Sequence, residues 1–384
     1  MPYWRLSAFY FFFFASLGAL LPYWGLYLES LGFNPVQIGE LMALIMATKI
    51  ISPNVWGWIA DHTGKPMAVV RLGSLAAALA FSGILLGSSY GWLALVMIVF
   101  SFFWNATLPQ FEAATFSHLG DQVHRYSSIR LWGSIGFIVA VAALGPLFEH
   151  AGVGLLPLIL LGLMAGIWLM SLLVPERAAA HLILDHEPLR KVLGRPEVLA
   201  LLAVCFLVQA SHGPYYTFYS IYLEDHGYSR SLIGQLWALG VIAEVGVFLV
   251  MHRLAPRFGL RAIFLASLAL AALRWALIGL FVDNLPMMFF AQILHAASFG
   301  VYHAVAIQLV HKYFTGRNQG RGQALYSSLS FGAGGAVGSL YSGYAWSSLG
   351  ATTTYFLAAF IGVAAFLVAW RFIRADQLVD ARKN

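Results

Sequence analysis

Charge is what this sequence has least of: only 10% of its 384 residues are Asp, Glu, Lys or Arg, against roughly 25% in a soluble globular domain. So few charges cannot cover a water-facing surface, which excludes soluble enzymes and soluble binding modules at the outset. Cysteine is almost missing as well. Cys205 is the single one; it cannot form an intrachain disulfide, and its place in an apolar run marks it as a small apolar filler. Basic residues outnumber acidic ones, 22 to 16. They are scattered through short loops without the clustered pattern of a nucleic-acid binding module, so no nucleic-acid partner is expected.

What is there instead is apolar. Hydrophobic residues make up 60% of the chain and the mean hydropathy is +0.77. Blocks at 6–28, 68–86, 155–174 and 262–282 each approach the ~20 residues that cross a hydrocarbon core. The first block is too long, too aromatic and too poor in cleavage-site residues for a signal peptide, and it reads as a retained span. Breaks at Gly, Pro and polar clusters predict helices at about 6–28, 36–60, 67–88, 91–118, 128–149, 153–174, 198–223, 231–255, 261–282, 286–313, 322–345 and 349–372. The fold class is thus an all-α polytopic membrane protein with twelve transmembrane helices.

Basic residues then fall at alternating span ends. Lys65, Arg71, Arg125, Arg190, Lys191, Arg261, Arg317, Arg382 and Lys383 share one side, whereas the other carries Glu29, Glu149, Glu224, Asp225 and Asp283 with Arg230 as its only basic residue. The positive-inside rule places both termini in the cytoplasm of an inner, plasma-type membrane, which requires an even number of spans. The longest polar stretch, 175–197, contains Pro175, Pro188 and Pro196 and reads as a cytoplasmic linker between an N-terminal bundle, 1–174, and a C-terminal bundle, 198–384.

The two bundles repeat one another. Tyr27-Leu28-Glu29-Ser30-Leu31-Gly32-Phe33 is echoed by Tyr222-Leu223-Glu224-Asp225-His226-Gly227-Tyr228, and Ile38-Gly39-Glu40-Leu41 by Ile233-Gly234-Gln235-Leu236, with no gap between. Duplicated six-helix halves are the mark of alternating-access transporters, whose substrate site lies where the halves meet. A membrane enzyme has no need of the duplication.

Gly57-Trp58-Ile59-Ala60-Asp61-His62-Thr63-Gly64-Lys65, between the second and third spans, resembles the G-x-x-x-D-R-x-G-R/K signature of the major facilitator superfamily, departing from it at His62. The second-half copy is degraded, with Pro256 in the acid's place. A tight turn here needs glycine, and an acid can bond orphan backbone donors or a basic partner at a cytoplasmic gate. Gly57, Asp61, Gly64 and Lys65 are therefore gating candidates, with simple helix capping by Asp61 as the alternative. Arg130-Leu131-Trp132-Gly133-Ser134-Ile135-Gly136, with Phe299-Gly300 and His303, is similar to the phenylpropionate-type permeases related to lactose and nucleoside proton symporters. That resemblance implies proton-coupled uptake of a small organic solute and adds Arg130 to the gating set.

Ionisable residues in mid-span cost about 2.5 to 3.5 kcal/mol each and should face a wet cavity or a partner. Lys49, Glu112, Glu244 and Arg274 stand there. Lys49 and Glu244 occupy equivalent places in the repeat, so a pseudo-two-fold axis sets them on opposite walls of one cavity. Lys49 can hold a carboxylate as a point charge and Glu244 can carry a proton; alternatively the two pair structurally. Glu112 is a second proton-coupling candidate, or a partner for a loop Arg. Arg274 reads as one half of a structural ion pair with Glu244.

In the tenth span His295, Phe299, Tyr302 and His303 share a helical stripe. His295 joins the proton-coupling set, and the resemblance favours His303 as a substrate contact. Tyr23, Tyr27 and Tyr219 could stack on a ring, although an aromatic belt explains the outermost tyrosines. No metal or other cofactor is expected. Gly334 and Gly338, in a glycine-rich run within a span, suit close helix packing and not a nucleotide loop.

The resulting expectation is a non-enzymatic secondary transporter, its favoured substrate a 3-phenylpropionate-like aromatic carboxylate carried with protons, working as a monomer in the lipid bilayer. A proton symporter of sugars or nucleosides and a non-transporting membrane sensor are the alternatives.

Overall fold

The computed structural model describes residues 1–177, 188–316 and 318–374. Residues 178–187 of the expected linker, and the basic residues Arg317, Arg382 and Lys383, lie outside them. All elements among the described residues are helical. Among the described residues ten continuous stretches are long and apolar enough to cross a membrane, and one of these, Tyr90–Ala151, holds two helices joined by a 3-10 turn at Gly120–Arg125. With the less apolar stretch 318–349 the spans number twelve: α1 Tyr3–Ser30, α2 Pro35–Thr63, α3 Pro66–Leu86, α4 Tyr90–Leu119, α5 Tyr126–Ala151 and α6 Leu156–Leu173. They continue as α7 Pro196–Asp225, α8 Arg230–Phe258, α9 Leu260–Leu280, α10 Leu285–Tyr313, α11 318–349 and α12 Ala351–Phe372.

Local signals start and stop these helices. Asn34 and Gln37 form a reciprocal capping box before α2, with Pro35 in the first turn, so two orphan donors are satisfied at once. Asn284 likewise accepts from the Met287 amide at 3.1 Å ahead of α10.

The duplication is written into the backbone. Left-handed glycines occur in pairs, Gly32 with Gly227, Gly64 with Gly259, Gly120 with Gly316 and Gly152 with Gly350, at separations of 195, 195, 196 and 198 residues. Helix contacts repeat too. A Cβ on Gly18 of α1 would stand 2.8 Å from the Phe137 carbonyl of α5, and one on Gly213 of α7 would collide with the Gly338 backbone of α11. Gly136 of α5 approaches the Phe11 carbonyl of α1 just as Gly334 of α11 approaches that of Phe206 in α7. Gly334 and Gly338 thus serve close helix packing.

Two compact units are present. The first joins residues 1–177 to 216–238, the second 188–215 to 239–374. In the first, α1 packs on α5 and α6, α3 on α4 and α6, and α2 on α4; in the second, α9 packs on α12, and the first part of α7 on α11 and α12. Arginines cap the helix ends in parallel fashion: Arg71 donates to the Val174 carbonyl at 2.7 Å after α6, and Arg261 to that of Ile373 at 2.6 Å after α12.

The first unit also includes the end of α7 and the start of α8. Arg230 donates to the Phe148 carbonyl of α5 at 3.0 Å and pairs with Glu224 at 2.6 Å, while Ser231 bonds the Glu149 carboxylate. These contacts seal the α5 end of that unit with polar groups of loop-flanking residues.

Candidate functional site

In the second unit, Arg274 of α9 is the chemical centre. It is fully buried, and its guanidinium is always charged. Nε donates to the Ala291 carbonyl at 2.9 Å, Nη1 to Ser298 Oγ at 3.1 Å and to His295 Nδ1 at 3.1 Å, and Nη2 to Gln292 Oε1 at 3.2 Å. The rings of Tyr215 and Trp275 flank it at 4.1 and 4.7 Å, adding cation–π attraction in a desolvated place. Gln292 Oε1 also accepts from the Tyr215 hydroxyl at 3.1 Å.

Arg274 does not make the expected direct pair with Glu244. His295 stands between them, its Nδ1 facing the guanidinium and its Nε2 3.7 Å from Glu244 Oε2. Gly300 leaves room for Glu244 against α10, where a Cβ would meet Glu244 Cγ at 2.9 Å.

A ring ladder continues from His295. Phe299 stacks on it at 5.5 Å and 6° between planes, and His303 stacks on Phe299 at 5.8 Å and 10°. His303 Nδ1 lies 2.7 Å from the Tyr326 hydroxyl of α11. Ala296–Val301 forms a π-helical turn within α10 and Ser328–Gly334 another within α11; Phe331 from the second meets Phe299 and His303 edge-on. The wider π turn brings residues four apart nearly over one another, and such turns recur at functional sites. Tyr302 leaves the expected stripe, since its hydroxyl turns to the Cys205 carbonyl at 3.4 Å.

The first unit holds two further polar groups. Lys49 is half-buried in mid-α2 and makes no hydrogen bond or ion pair with any described residue, whereas its neighbours are committed: Thr48 donates to Ser101 Oγ at 2.8 Å and accepts from Asn105 at 2.9 Å. Glu112 of α4 accepts from the Tyr126 hydroxyl at 3.2 Å. Arg130 places its guanidinium 3.7 Å over the Phe14 ring, within electrostatic reach of Glu112. Arg130 thus belongs to a cluster formed by α1, α4 and α5.

At that turn Gly64 adopts a left-handed conformation and its amide bonds the Ala60 carbonyl, as a tight reversal requires. Lys65 and Asp61 are exposed. The orphan donors of α3, expected for Asp61, go instead to Glu176, whose two oxygens accept from the Met67 and Ala68 amides at 3.0 Å each. Asp61 sits in the last turn of α2, before the reversal, while Glu176 follows α6 and reaches the α3 N-terminus directly. Gly57 faces Gln110, with a Cβ there 3.5 Å from its amide nitrogen.

The tyrosines chosen for ring stacking are packed. Tyr23 is fully buried, donates to the Val141 carbonyl at 2.9 Å and abuts Phe148. Tyr27 lies against Trp24, and Tyr219 edge-on to Trp237. Sequence reasoning missed the cage around Arg274, meaning Gln292, Ser298, Tyr215 and nearby His212. The one available signal for His212 was its place beside Gly213-Pro214, where α7 breaks. No group of three His, Cys, Asp or Glu that could hold a metal occurs among the described residues.

This architecture matches known proteins over nearly its whole length. The model of the MFS_1 like family covers residues 3–358. The chain belongs to that family. It is a major facilitator transporter and a multi-pass membrane protein, and its relatives in the family are carriers of small solutes, not enzymes. A probable 3-phenylpropionic acid transporter of Escherichia coli (strain K12) is 30% identical over 89% of this chain and 90% of its own. A maltose permease of Geobacillus stearothermophilus is 26% identical over 94% and 92%. The crystal structure of a point mutant of the nucleoside transporter NupG superposes with a TM-score of 0.85 at 17% identity, covering 97% of this chain and all of that one.

Proposed function

We propose that this family member imports a small aromatic carboxylate together with a proton across a plasma-type membrane by alternating access. The carrying observation is Lys49: an ammonium set in mid-span with no partner among the described residues calls for an anion. The name of one relative, 30% identical, supports a carboxylate of the 3-phenylpropionate kind. In this reading Lys49 takes the carboxylate as a point charge.

Proton coupling follows from charge balance. Arg274 is a permanent buried cation whose direct partners are neutral, so Glu244 across His295 is the nearby anion that offsets it. Protonating Glu244 leaves the site more positive and favours an anionic solute; binding the solute favours the proton in turn, since such linkage is reciprocal. In this reading Asp61, Gly57, Gly64 and Lys65 act at the cytoplasmic gate, and a single chain suffices.

A second reading, a sugar or nucleoside symporter, draws on the Glu112–Tyr126–Arg130 cluster, which offers both hydrogen-bond acceptors and donors to hydroxyls. Uptake of labelled 3-phenylpropionate into proteoliposomes under an inward proton gradient tests the first. Accumulation abolished by an uncoupler supports it; uptake of maltose or a nucleoside in its place overturns the substrate assignment, and no gradient-driven uptake of any of them overturns the transport mechanism.

A further inference from the structure

The donor and acceptor chemistry around His295 decides more than its position does. Arg274 Nη1 can only donate, so His295 Nδ1, 3.1 Å away, must accept and cannot carry a hydrogen. The ring proton is then on Nε2, which points at Glu244 Oε2 across 3.7 Å. A second proton on this ring would have to sit on Nδ1, against a guanidinium that is fully buried and held by three further acceptors, Ala291 O, Ser298 Oγ and Gln292 Oε1. Swinging the guanidinium aside would strand those buried acceptors, each of which costs free energy when left unmade.

We infer that Arg274 is a positioning residue that locks His295 in the neutral Nε2–H tautomer, so that Glu244, and not His295, takes up and releases a proton at this site. The inference deepens the proposed proton coupling and rests on that reading for its biological use. In chemical terms, when Glu244 is ionised the His295 Nε2–H faces the carboxylate. When Glu244 gains a proton from water, that proton stays on a carboxyl oxygen, because the imidazole has no free lone pair to receive it. The 3.7 Å gap exceeds hydrogen-bond length, and a modest rotation of the half-buried Glu244 side chain opens or closes it. His295 thereby presents its Nε2–H toward Glu244 in either state of the carboxyl group.

Charged and titratable groups around the pair include Arg274 from α9, His212 and Tyr215 from α7, and His303 beyond Phe299 in α10. His212 Nδ1 lies 2.7 Å from the Val208 carbonyl and must donate to it, so its proton too is fixed by an acceptor-only partner. Two buried imidazoles are held in opposite tautomers, and Glu244 is the carboxyl group that faces the protonated nitrogen of His295.

Nitrogen-15 spectra of histidine-labelled protein in nanodiscs, with His295→Gln to assign the resonance, read the tautomer without any substrate. The expected result is a neutral ring with Nε2 protonated from about pH 5 to 9, the range over which a histidine of ordinary pKa passes through its transition. An imidazolium signal, or an Nδ1–H tautomer, within that range overturns the inference. Infrared pH titration of the same samples reads the carboxyl groups. A protonated-carboxyl band is expected in the unmodified protein and in His295→Gln, and its loss in Glu244→Gln supports the assignment; a band indifferent to Glu244→Gln overturns it. Neither readout needs transport, so failure of uptake alone would overturn the proposed function and leave the tautomer lock standing.

Discussion

At the residue scale, the decisive contrast is between two buried or half-buried cations. Arg274 is caged by neutral acceptors and two aromatic rings, and Lys49 has no partner among the described residues. Under the proposed function the bare cation is the one that meets the solute. Replacing Lys49 by Gln should remove one charge-assisted hydrogen bond, worth about 1.5–3 kcal/mol. At about 1.4 kcal/mol per tenfold, this is roughly a 10- to 150-fold rise in the KM for a carboxylate substrate. Lys49→Arg should retain part of the affinity, because the charge survives while its geometry changes. Initial rates of proteoliposome uptake check both, and an unchanged KM in Lys49→Gln would remove Lys49 from the site. The residues Lys49, Glu244, His295 and Arg274 were legible in the sequence, since ionisable groups in apolar spans announce themselves. Their partners were not: Gln292, Ser298 and Tyr215 are ordinary polar residues, and only the folding of α7, α9 and α10 together makes them a cage.

At the scale of elements, glycine sets how close the helices come. A methyl on Gly136 would run into the Phe11 carbonyl, and one on Gly213 into the Gly338 backbone; neither obstacle is a flexible side chain. Gly136→Ala and Gly213→Ala should each cost about 1–3 kcal/mol as overpacking does. A lowered midpoint of thermal unfolding in detergent should show it. Gly162→Ala, with open space around it, should be neutral or slightly stabilising, because Ala is the better helix former. The repeat that predicted these equivalences was readable at its loop motifs, but the pairing of α1 with α5 and of α7 with α11 was not, because close-packing glycines look alike in an apolar run wherever they lie.

The α2–α3 turn teaches the opposite lesson. Its motif was plain, yet the acid that caps α3 is Glu176, from a polar segment more than a hundred residues away that carries no recognisable pattern. Removing that carboxylate in Glu176→Ala should expose two first-turn donors and cost about 0.5–2 kcal/mol, the usual range for a lost cap. Amide exchange at Met67 and Ala68 should accelerate accordingly, and Asp61→Ala should leave those two amides protected. Equal acceleration in both variants would return the capping role to Asp61.

For the whole molecule, the twelve spans followed directly from hydropathy, because each must satisfy its own backbone hydrogen bonds in lipid. Their orientation rests on a different physics, the retention of basic residues on one side. Arg190 and Asp283 fall on opposite sides by that rule, and both are exposed. The chain is unusually suited to a direct test, since its single cysteine, Cys205, is completely buried and should give no background with a membrane-impermeant maleimide. Asp283→Cys should therefore label in intact cells, while Arg190→Cys should label only after the membrane is opened. The reverse pattern would invert the topology and set Lys65 and Arg71 outside, while the internal contacts of Arg274, His295 and Glu244 would stay the same, because they do not depend on which side of the membrane each helix end faces.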